Sequence, residues 1–294
     1  MKIAIYGSRH QSRYLNEIVA LINALRSHGV ETVMARKLYD YLCESLQSAP
    51  AGVGEVVDDG ADARFDADMA MSIGGDGTFL RTAQWVGRKE IPVLGINTGH
   101  LGYLADHRMD ACQEWMRPLL EGCYEVESRT MIETELEGEG VTTPPGWWPY
   151  ALNEAAVLKK DTASMIDIEA YINGTYLAHY RADGLIMATP TGSTGYNLSV
   201  GGPILDPSTR VWVLSPIAAH SLSMRPLVVD NSACFSLSTL SRARSYRLSL
   251  DGRSMSLPVG STVYMRRAPF VTRVVMHPGH NFADTLRDKL HWGA

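Results

Sequence analysis

The feature that most constrains the fold is a change in hydrophobic periodicity near residue 125. Before this point, short apolar runs alternate with segments whose apolar residues recur at helical spacing. Strands are predicted at 2–6, 30–34, 69–73 and 91–96, and helices at 15–25, 37–46, 78–85 and 110–120. This alternation predicts an N-terminal α/β domain of the doubly wound class, in which helices cover both faces of a parallel sheet.

After residue 125 the chain becomes β-rich. Short apolar runs follow at 151–158, 166–172, 185–188, 211–214, 227–229, 246–250 and 262–265. Turn signals separate several of these runs, at Asn173-Gly174, Asp183-Gly184 and Asp251-Gly252. Three prolines within 138–149 indicate an exposed loop, and 281–290 returns to helical spacing. We therefore expect an α/β domain at 1–124, an all-β domain at 125–276, and a segment at 277–294 whose C-terminal helix returns to the first domain.

Composition and charge exclude several classes of protein. The 27 basic and 32 acidic residues give a net charge of −5, which disfavours nucleic acid and anionic membranes as partners. The four cysteines are scattered and form no CxxC pair, so neither a disulfide scaffold nor structural zinc is expected. The N-terminus has the pattern of a strand rather than of a signal peptide, and no window reaches the roughly 18 apolar residues of a membrane span. We expect a cytoplasmic protein.

The first motif that could carry chemistry follows the strand predicted at 69–73. It reads SIGGDGTFL and contains Gly74, Gly75, Asp76, Gly77 and Thr78. Glycines let the backbone approach a phosphate, and a helix beginning near Thr78 would offer free N–H groups. Asp76 has two interpretations: it caps the helix in a tight turn, or its carboxylate faces a hydroxyl or a metal ion. Arg81, one turn further on, either faces the same pocket or is solvated.

Three further segments are rich in glycine and polar residues. GINTGHLGYL at 95–104 is either a second loop of close approach or an ordinary turn between strand and helix. RADG at 181–184 and TPTGSTGYNLSVGGP at 189–203 surround Tyr196 with hydroxyls and glycines, which predicts a polar pocket with an aromatic wall for a base. The pair Asn153-Glu154 is either a turn remnant or a source of an amide and a carboxylate for ribose hydroxyls.

Several common motifs are absent. The chain has no GxxxxGK[ST] loop, and the third glycine of the dinucleotide fingerprint is missing after Gly77. Ser193 lacks the nucleophile elbow of a hydrolase because Thr191 stands where glycine is required. His277 and His280 have HxxH spacing, but the proline and glycine between them favour a loop over a metal site.

Taken together, these segments resemble the NAD kinase family in its bacterial form. GGDGT at 74–78, GINTGHLGYL at 95–104, the Asn153-Glu154 pair and the block at 181–203 occur in the order and spacing of that family. The resemblance extends to about residue 278 and so covers nearly the whole chain. GGDGT alone is shared with diacylglycerol, sphingosine and phosphofructokinase-type kinases, whereas the Asn-Glu pair and the TPTGSTGY block are more specific.

The resemblance implies transfer of the γ-phosphoryl of ATP to the 2′-hydroxyl of the adenosine ribose of NAD, giving NADP and ADP. It implies a divalent cation such as Mg²⁺, to which it assigns no protein ligand, and assembly as a homodimer or homotetramer. It implies that Asp76 is the catalytic proton acceptor and that Gly74, Gly75 and Thr78 form the phosphate loop for ATP. The first domain would bind nucleotide and the second NAD. The implied NAD-binding residues are Asp76, Gly77, Arg81, Asn153, Glu154, Arg181, Asp183, Thr194, Gly195, Tyr196, Asn197, Leu198 and Ser199.

Three positions depart from the family pattern. Gly195 stands where relatives commonly have alanine, and Ser164 where they often have a histidine or arginine contact. Arg253 stands where many have glutamine or histidine, so a ligand contact there is either lost or replaced by a cation that attracts phosphate.

Two other functions are weighed against the kinase. A lipid or sphingoid kinase shares GGDGT, but the acidic charge and the polar block at 189–203 disfavour it. A non-catalytic NAD(P)-binding sensor is disfavoured by the intact Asp76.

Overall fold

The chain folds into two compact units. The computed structural model describes residues 1–8, 12–99, 102–160, 164–241 and 243–293. Unit 1 comprises Met1–Ser128 and Thr272–Ala294, and unit 2 comprises Arg129–Val271. The predicted class, an α/β part followed by a β-rich part and a C-terminal helix, is confirmed. The domain limits at 124 and 276 stay predictions, as do the ligands assigned to each domain.

Unit 1 alternates strands with helices. Its elements before residue 125 are β1 (Lys2–Gly7), α1 (Leu15–Ser27), β2 (Glu31–Ala35), α2 (Arg36–Leu46), β3 (Glu55–Val57), β4 (Met69–Ile73), α3 (Asp76–Val86), β5 (Val93–Asn97), β6 (His107–Arg108) and α4 (Cys112–Leu120). Single 3₁₀ turns lie at Ser12–Tyr14, Gly87–Lys89 and Met109–Ala111. Strands pair in parallel in the order β5-β4-β1-β2-β3, and β6 pairs with β5.

The apolar periodicity of this half becomes its core. On α1, Ile18, Leu21, Ile22 and Leu25 follow the spacing of one helical face and are at most 1% exposed. Gly29 adopts a φ of 71°, which lets the chain leave the helix so that β2 begins at Glu31. Both β4 and β5 are buried at every position, because a parallel sheet is covered on both faces.

Unit 2 contains two sheets. The later elements of the chain are β7 (Glu125–Glu137), β8 (Tyr150–Ala151), β9 (Glu154–Leu158), β10 (Ile166–Ile172), β11 (Thr175–Ala182), β12 (Gly184–Ala188), α5 (Tyr196–Ser199), β13 (Val211–Ile217), β14 (Leu227–Asp230), β15 (Phe235–Leu240), β16 (Ser245–Leu250), β17 (Arg253–Pro258), β18 (Thr262–Met276) and α6 (Phe282–Leu290). A 3₁₀ turn at Thr191–Thr194 precedes α5.

One sheet of unit 2 has the strand order β11-β10-β15-β18, and the other has the order β14-β13-β12-β9-β16-β17. Residues from both sheets share one core, with Ile168 and Leu237 on one side and Leu185, Trp212 and Tyr246 on the other.

Two of the three predicted turn pairs join neighbouring antiparallel strands. Asn173-Gly174 connects β10 to β11 with φ of 50° and 78°, and Asp251-Gly252 connects β16 to β17 with φ of 48° and 79°. Two successive positive φ values are typical of type I′ hairpins. Asp183-Gly184 differs: it leads from β11 in one sheet to β12 in the other, and the Asp183 N–H donates to the carbonyl of Ile217.

Strands without a continuous apolar run were not predicted. They are β3, β6, β7, β11, β15 and β17, which consist of polar residues, alternate polar with apolar residues, or face solvent. The last strand, β18, is longer than the predicted 262–265, because Arg266, Arg267 and Pro269 interrupt its apolar pattern. Its first part pairs with β15, and Val274 near its end pairs in parallel with Val93 of β5, so 272–294 returns to unit 1. Within the described part of the chain, no helix combines the length and apolar character needed to cross a membrane.

We expect Gly95→Ala to destabilise the protein by about 2 kcal/mol or more, because overpacking against backbone is costly. A Cβ at Gly95 would lie 2.5 Å from the carbonyl oxygen of Leu104 and 2.7 Å from Cα of Ala105. Gly60→Ala is the matched control, since a Cβ there meets nothing within 4 Å. The free energy of unfolding from chemical denaturation tests this, and equal values for the two variants would contradict the close packing at Gly95.

Candidate functional site

The predicted site residues divide between the two units. Unit 1 carries the glycine loop with Asp76, and unit 2 carries Asn153, Glu154 and the segment that contains Tyr196.

In unit 1, the carboxylate of Asp76 is held by backbone N–H groups. Tyr103 donates to Oδ2 at 2.8 Å, and Leu104 and Ala105 donate to Oδ1 at 2.9 and 3.4 Å. Asp76 is the first residue of α3, so it follows β4 at the carboxyl edge of the parallel sheet. A Cβ at Gly102 would lie 2.2 Å from Asp76 Oδ1, which explains why glycine stands there. The two glycine-containing loops therefore pack directly on each other, although His100 and Leu101 lie outside the described residues.

The backbone before α3 is shaped for close approach by a ligand. Gly74 has a φ of 151° and passes so near Thr78 that a Cβ would lie 2.3 Å from its hydroxyl oxygen. At Gly75 and Gly77, by contrast, a Cβ would meet nothing within 4 Å. The eleven-residue helix α3 begins here, and its first N–H groups have no partner within the helix. Open glycines at a helix N-terminus are a suitable arrangement for binding phosphate.

Arg81 lies one turn into α3 and is exposed. Its Nη2 donates to Thr78 Oγ1 at 3.3 Å, and its guanidinium lies close enough to Tyr6 to influence the pKa of that hydroxyl. Burial and then Asp59 raise the pKa of Tyr6, and Arg81 opposes them. The cation is thus positioned beside the start of the helix.

In unit 2, a polar cluster forms around Asn153 and Glu154. The buried carboxylate of Asp251 accepts backbone N–H bonds from Leu152 at 2.7 Å, Asn153 at 2.8 Å and Glu154 at 3.2 Å. This arrangement fixes the backbone at the start of β9. Asn153 Oδ1 and Glu154 Oε2 are buried and have no hydrogen-bond partner among the residues that the structure describes. Two adjacent buried polar atoms without partners are costly unless a ligand or water satisfies them.

Glu154 has a strongly perturbed pKa. Burial and, second, the nearby Asp251 together raise the pKa of its carboxyl to about 8, while the backbone N–H of Tyr196 acts in the opposite direction. Burial also raises the pKa of Asp251, although its three N–H donors and Arg253 act in the opposite direction. Glu154 is therefore mostly protonated at neutral pH, and a protonated carboxyl can both donate to and accept from a hydroxyl.

The segment 189–203 packs against this cluster through close backbone contacts. Thr189 Oγ1 donates to the carbonyl of Leu152 at 2.6 Å and accepts the N–H of Gly192 at 3.0 Å. A Cβ at Gly192 would lie 2.1 Å from the carbonyl oxygen of Asn153. A Cβ at Gly195 would lie 3.2 Å from Glu154 Oε2, so the alanine common at this position would make that oxygen shift slightly.

The residues from 194 to 199 differ in where they lie. Tyr196 is 40% exposed and Ser199 is exposed, whereas Thr194, Gly195 and Leu198 are half-buried. Asn197 is fully buried: its Nδ2 donates to the carbonyls of Ser193 and Pro203 at 3.1 Å each, and its Oδ1 accepts from Ser215 at 2.6 Å. The amide of Asn197 is used to shape the segment, so of the two amides in the predicted set only Asn153 retains an unpartnered oxygen.

Arg181, Asp183 and Ser164 are not joined to this cluster by any bond among the described residues. The carboxylate of Asp183 lies 2.6 Å from Lys159 Nζ, and the exposed Arg181 has its Nε 3.9 Å from Asp167 Oδ1. Ser164 is half-buried.

Arg253 points into the protein. Its Nη1 donates to the carbonyl of Trp148 at 2.8 Å and its Nη2 to that of Tyr150 at 2.6 Å, with Asp251 Oδ2 at 3.9 Å. Burial lowers the pKa of Arg253, and Asp251 opposes that shift. Of the two interpretations from sequence, this geometry favours a lost ligand contact, because the guanidinium fixes backbone instead.

Sequence reasoning missed the role of Asp251. The Asp-Gly pair was interpreted only as a turn signal, because nothing local connects it to Asn153, 98 residues earlier. The role of the backbone N–H groups of 103–105 was missed for the same reason. Almost every residue type supplies a backbone N–H, so the sequence does not mark which ones bind a carboxylate.

Comparison with known proteins places both units in one family. The model of the ATP-NAD kinase N-terminal domain matches residues 17–124, and that of the ATP-NAD kinase C-terminal domain matches residues 152–276. The chain is 47% identical over 294 residues to a protein named NAD kinase from Porphyromonas gingivalis, covering 100% of the chain and 98% of that protein. It is 41% identical over 295 residues to a NAD kinase from Bacteroides fragilis, covering 100% and 99%.

Two solved structures share the fold. A yeast NADH kinase complexed with NADH has a TM-score of 0.86 at 23% identity, covering 100% of this chain and 88% of that one. A NAD kinase from Archaeoglobus fulgidus in complex with ATP has a TM-score of 0.73 at 24% identity, covering 98% and 99%. At this identity the likeness establishes the fold alone.

We expect Glu154→Gln to stabilise the protein increasingly as pH rises from 5 to 9. The pKa of Glu154 is about 8 in the folded protein, above its ordinary value of 4.5, so the folded state binds the proton more tightly. Between those values wild-type stability falls with rising pH, by at most about 1.4 kcal/mol per pH unit, and glutamine removes that loss. Asp251 is present in both proteins, so its contribution cancels to first order. Chemical denaturation across this pH range measures the difference in the free energy of unfolding. Glu139→Gln, which changes an exposed carboxylate, is the control. Parallel profiles for the wild type and Glu154→Gln would show that burial does not raise the pKa of Glu154.

Proposed function

The chain belongs to the NAD kinase family, and from that premise we propose that it transfers the γ-phosphoryl of ATP to the 2′-hydroxyl of the adenosine ribose of NAD. The products are NADP and ADP. The observation that carries the proposal is the carboxylate of Asp76, held by three backbone N–H groups at the open N-terminus of α3.

Asp76 is proposed as the residue that orients the ribose hydroxyl and accepts its proton. An ionised carboxylate offers about four acceptor positions, and the N–H groups of 103–105 occupy three. One position is therefore left for the hydroxyl. Phosphoryl transfer draws most of its rate from positioning and charge neutralisation, which a fixed carboxylate and a helix N-terminus both serve. Gly74, Gly75 and Thr78 are proposed to receive the phosphates of ATP, with Gly77 leaving room for NAD.

The unit 2 cluster is proposed to bind NAD. The unpartnered Asn153 Oδ1 and the protonated carboxyl of Glu154 suit hydroxyl groups, which both donate and accept hydrogen bonds. Tyr196 is exposed enough to serve as a flat wall for a base. Thr194, Gly195, Leu198 and Ser199 complete the proposed contacts, together with Arg81, Arg181 and Asp183. Asn197 and Asp251 act as positioning residues, because their bonds hold the backbone that carries the others.

A divalent cation, Mg²⁺, is proposed to accompany ATP. Mg²⁺ prefers oxygen ligands and is usually held by substrate phosphates and water with one or two carboxylates. The one acceptor position left on Asp76 is assigned to the ribose hydroxyl, so the ATP phosphates and water would hold the ion, for which the open backbone at Gly75 and Gly77 leaves room. The ion supplies charge neutralisation at the phosphates. A cytoplasmic location and assembly as a homodimer or homotetramer are proposed as well.

One assay separates the candidate functions. Purified protein with NAD, ATP and Mg²⁺ is coupled to an NADP-specific dehydrogenase, and ATP and NAD are then replaced in turn by other donors and by NADH. Membership of the NAD kinase family removes the lipid or sphingoid kinase alternative. Binding of NAD without NADP production would indicate the sensor and contradict the kinase.

We expect Asp76→Asn to lower kcat by at least about 10²-fold while changing the affinity for NAD little, because the amide cannot accept the hydroxyl proton. Steady-state kinetics and calorimetry with NAD measure the two effects. Asp66→Asn, which changes an exposed carboxylate of the same unit, is the control. The unfolding midpoint is recorded for both variants, since Asp76 also holds 103–105. Near wild-type turnover in Asp76→Asn would remove this residue from the reaction.

We expect Tyr196→Ala to raise KM for NAD by at least about 5-fold and to change kcat less, because the ring contributes to binding rather than to phosphoryl transfer. Tyr176→Ala, which removes a ring that is 55% exposed in the same unit, serves as the control. An unchanged KM for NAD in Tyr196→Ala would exclude the ring from the binding site.

A further inference from the structure

A second group of chemically active side chains lies in unit 1, outside the glycine loop. Asp106, His277 and His280 each offer one ligand atom, and these atoms lie within 4.8 Å of one another. His277 Nε2 is 3.7 Å from Asp106 Oδ2, and His280 Nδ1 is 3.6 Å from the same oxygen. The proline and glycine of HPGH were expected to favour a loop. They do form a turn, with Gly279 at a φ of 77° and the N–H of His280 donating to the carbonyl of His277, and this turn brings the two rings to 5.3 Å.

The outer nitrogen of each imidazole is already engaged. His277 Nδ1 lies 3.2 Å from the carbonyl oxygen of Pro278, which can only accept, so Nδ1 carries the proton. His280 Nε2 lies 3.2 Å from Thr285 Oγ1, and that hydroxyl donates to the carbonyl of Asn281, so it accepts from the ring. In the neutral rings the inner nitrogens, His277 Nε2 and His280 Nδ1, therefore present lone pairs to Asp106.

Asp106 presents a third lone pair to the same space. Lys289 Nζ binds Oδ1 at 3.0 Å and fixes the carboxylate, whereas the buried Oδ2 makes no hydrogen bond among the described residues. In the neutral rings, two imidazole lone pairs and one carboxylate oxygen thus face one another. A cation bound between them would be stabilised by all three acceptors.

We propose that Asp106, His277 and His280 bind one divalent transition-metal ion of the Zn²⁺ type. Atoms that bind a tetrahedral metal at about 2.0–2.2 Å stand roughly 3.3–3.6 Å apart. The two nitrogen–oxygen distances of 3.7 and 3.6 Å are close to this range. Engaged outer nitrogens and a carboxylate fixed by a neighbour are the usual surroundings of metal-binding histidines. Two imidazoles select Zn²⁺, Co²⁺ or Ni²⁺ over Mg²⁺, so this ion differs from the one that accompanies ATP.

The surroundings leave room for the ion to enter and to keep a solvent ligand. Asp106 and His277 line a cavity of about 380 Å³ in unit 1, together with Trp115 and Met276. The ammonium of Lys289 is 4% exposed and adjoins the site, so we expect weaker binding than in a site with the same ligands and no such cation.

The ion would tie the C-terminal segment to the loop that holds Asp76. Asp106 directly follows 103–105, whose amides bind that carboxylate, and Lys289 Nζ also donates to the carbonyl of Tyr103 at 3.3 Å. The proposed role is therefore structural, and it does not depend on the kinase activity.

The test uses Co²⁺ as a coloured probe. The full chain is freed of metal with a chelator and titrated with Co²⁺ in excess Mg²⁺, and the visible absorption of bound Co²⁺ is followed before Zn²⁺ is added as competitor. We expect saturation at one Co²⁺ per chain with a dissociation constant below about 100 μM, insensitivity to Mg²⁺, and displacement by Zn²⁺. His277→Ala and His280→Ala should each weaken binding at least about 10-fold. His220→Ala, which alters an exposed histidine of unit 2, should bind like the wild type.

Three results would overturn the proposal: no saturable Co²⁺ absorption, full competition by Mg²⁺, or equal affinity in the wild type and both cluster variants. His277 is exposed, so its replacement is compatible with folding, and denaturation of each metal-free variant verifies this. If His280→Ala alone fails to fold, His277→Ala decides the outcome.

Discussion

Each unit depends on one aspartate whose carboxylate accepts hydrogen bonds from three consecutive backbone N–H groups. Asp76 holds 103–105, and Asp251 holds 152–154. Hydrogen bonds to a carboxylate are shorter and stronger than neutral ones, so each aspartate fixes a segment that has little regular structure of its own. In both cases the fixed segment adjoins the residues proposed to act on the substrates. The same side chain thus serves folding and function, which links the stability of these segments to activity.

Glycine makes these arrangements possible because it has no Cβ, so a polar group of the protein can occupy the space that a Cβ would fill. At Gly102 that space is taken by the carboxylate of Asp76, at Gly192 by the carbonyl of Asn153, and at Gly202 by the amide of Asn197, where a Cβ would lie 1.9 Å from Oδ1. Only Gly74 of the positions in the first glycine loop combines such a contact with a positive φ. The glycines of the motifs therefore serve two needs: some admit protein polar groups, and others, such as Gly75 and Gly77, leave open space.

The sequence predicted secondary structure better than it predicted which distant groups bond to each other. The strand at 69–73 and the buried face of α1 were predicted because burial imposes a periodic pattern on neighbouring residues. Strand β17 was not, because it alternates exposed and buried positions over six residues without an apolar run. The glycine loops were recognised as motifs, but the bond between Asp76 and 103–105 was not, since its partners are main-chain groups whose position depends on the whole sheet. The direction of Arg253 could not be predicted either, because a guanidinium binds a phosphate or two carbonyls equally well.

The return of 272–294 to unit 1 has a consequence for how the protein is made. The chain of unit 2 is continuous, whereas unit 1 is assembled from both ends of the sequence. As the polypeptide leaves the ribosome, its first 128 residues lack the strand that pairs with β5 through Val274 and the helix α6. Unit 1 can complete its sheet only after the whole of unit 2 has emerged. The edge of β5 at Val93, which β6 does not cover, is therefore uncovered until then, and this half of the molecule is the one that would benefit from a chaperone.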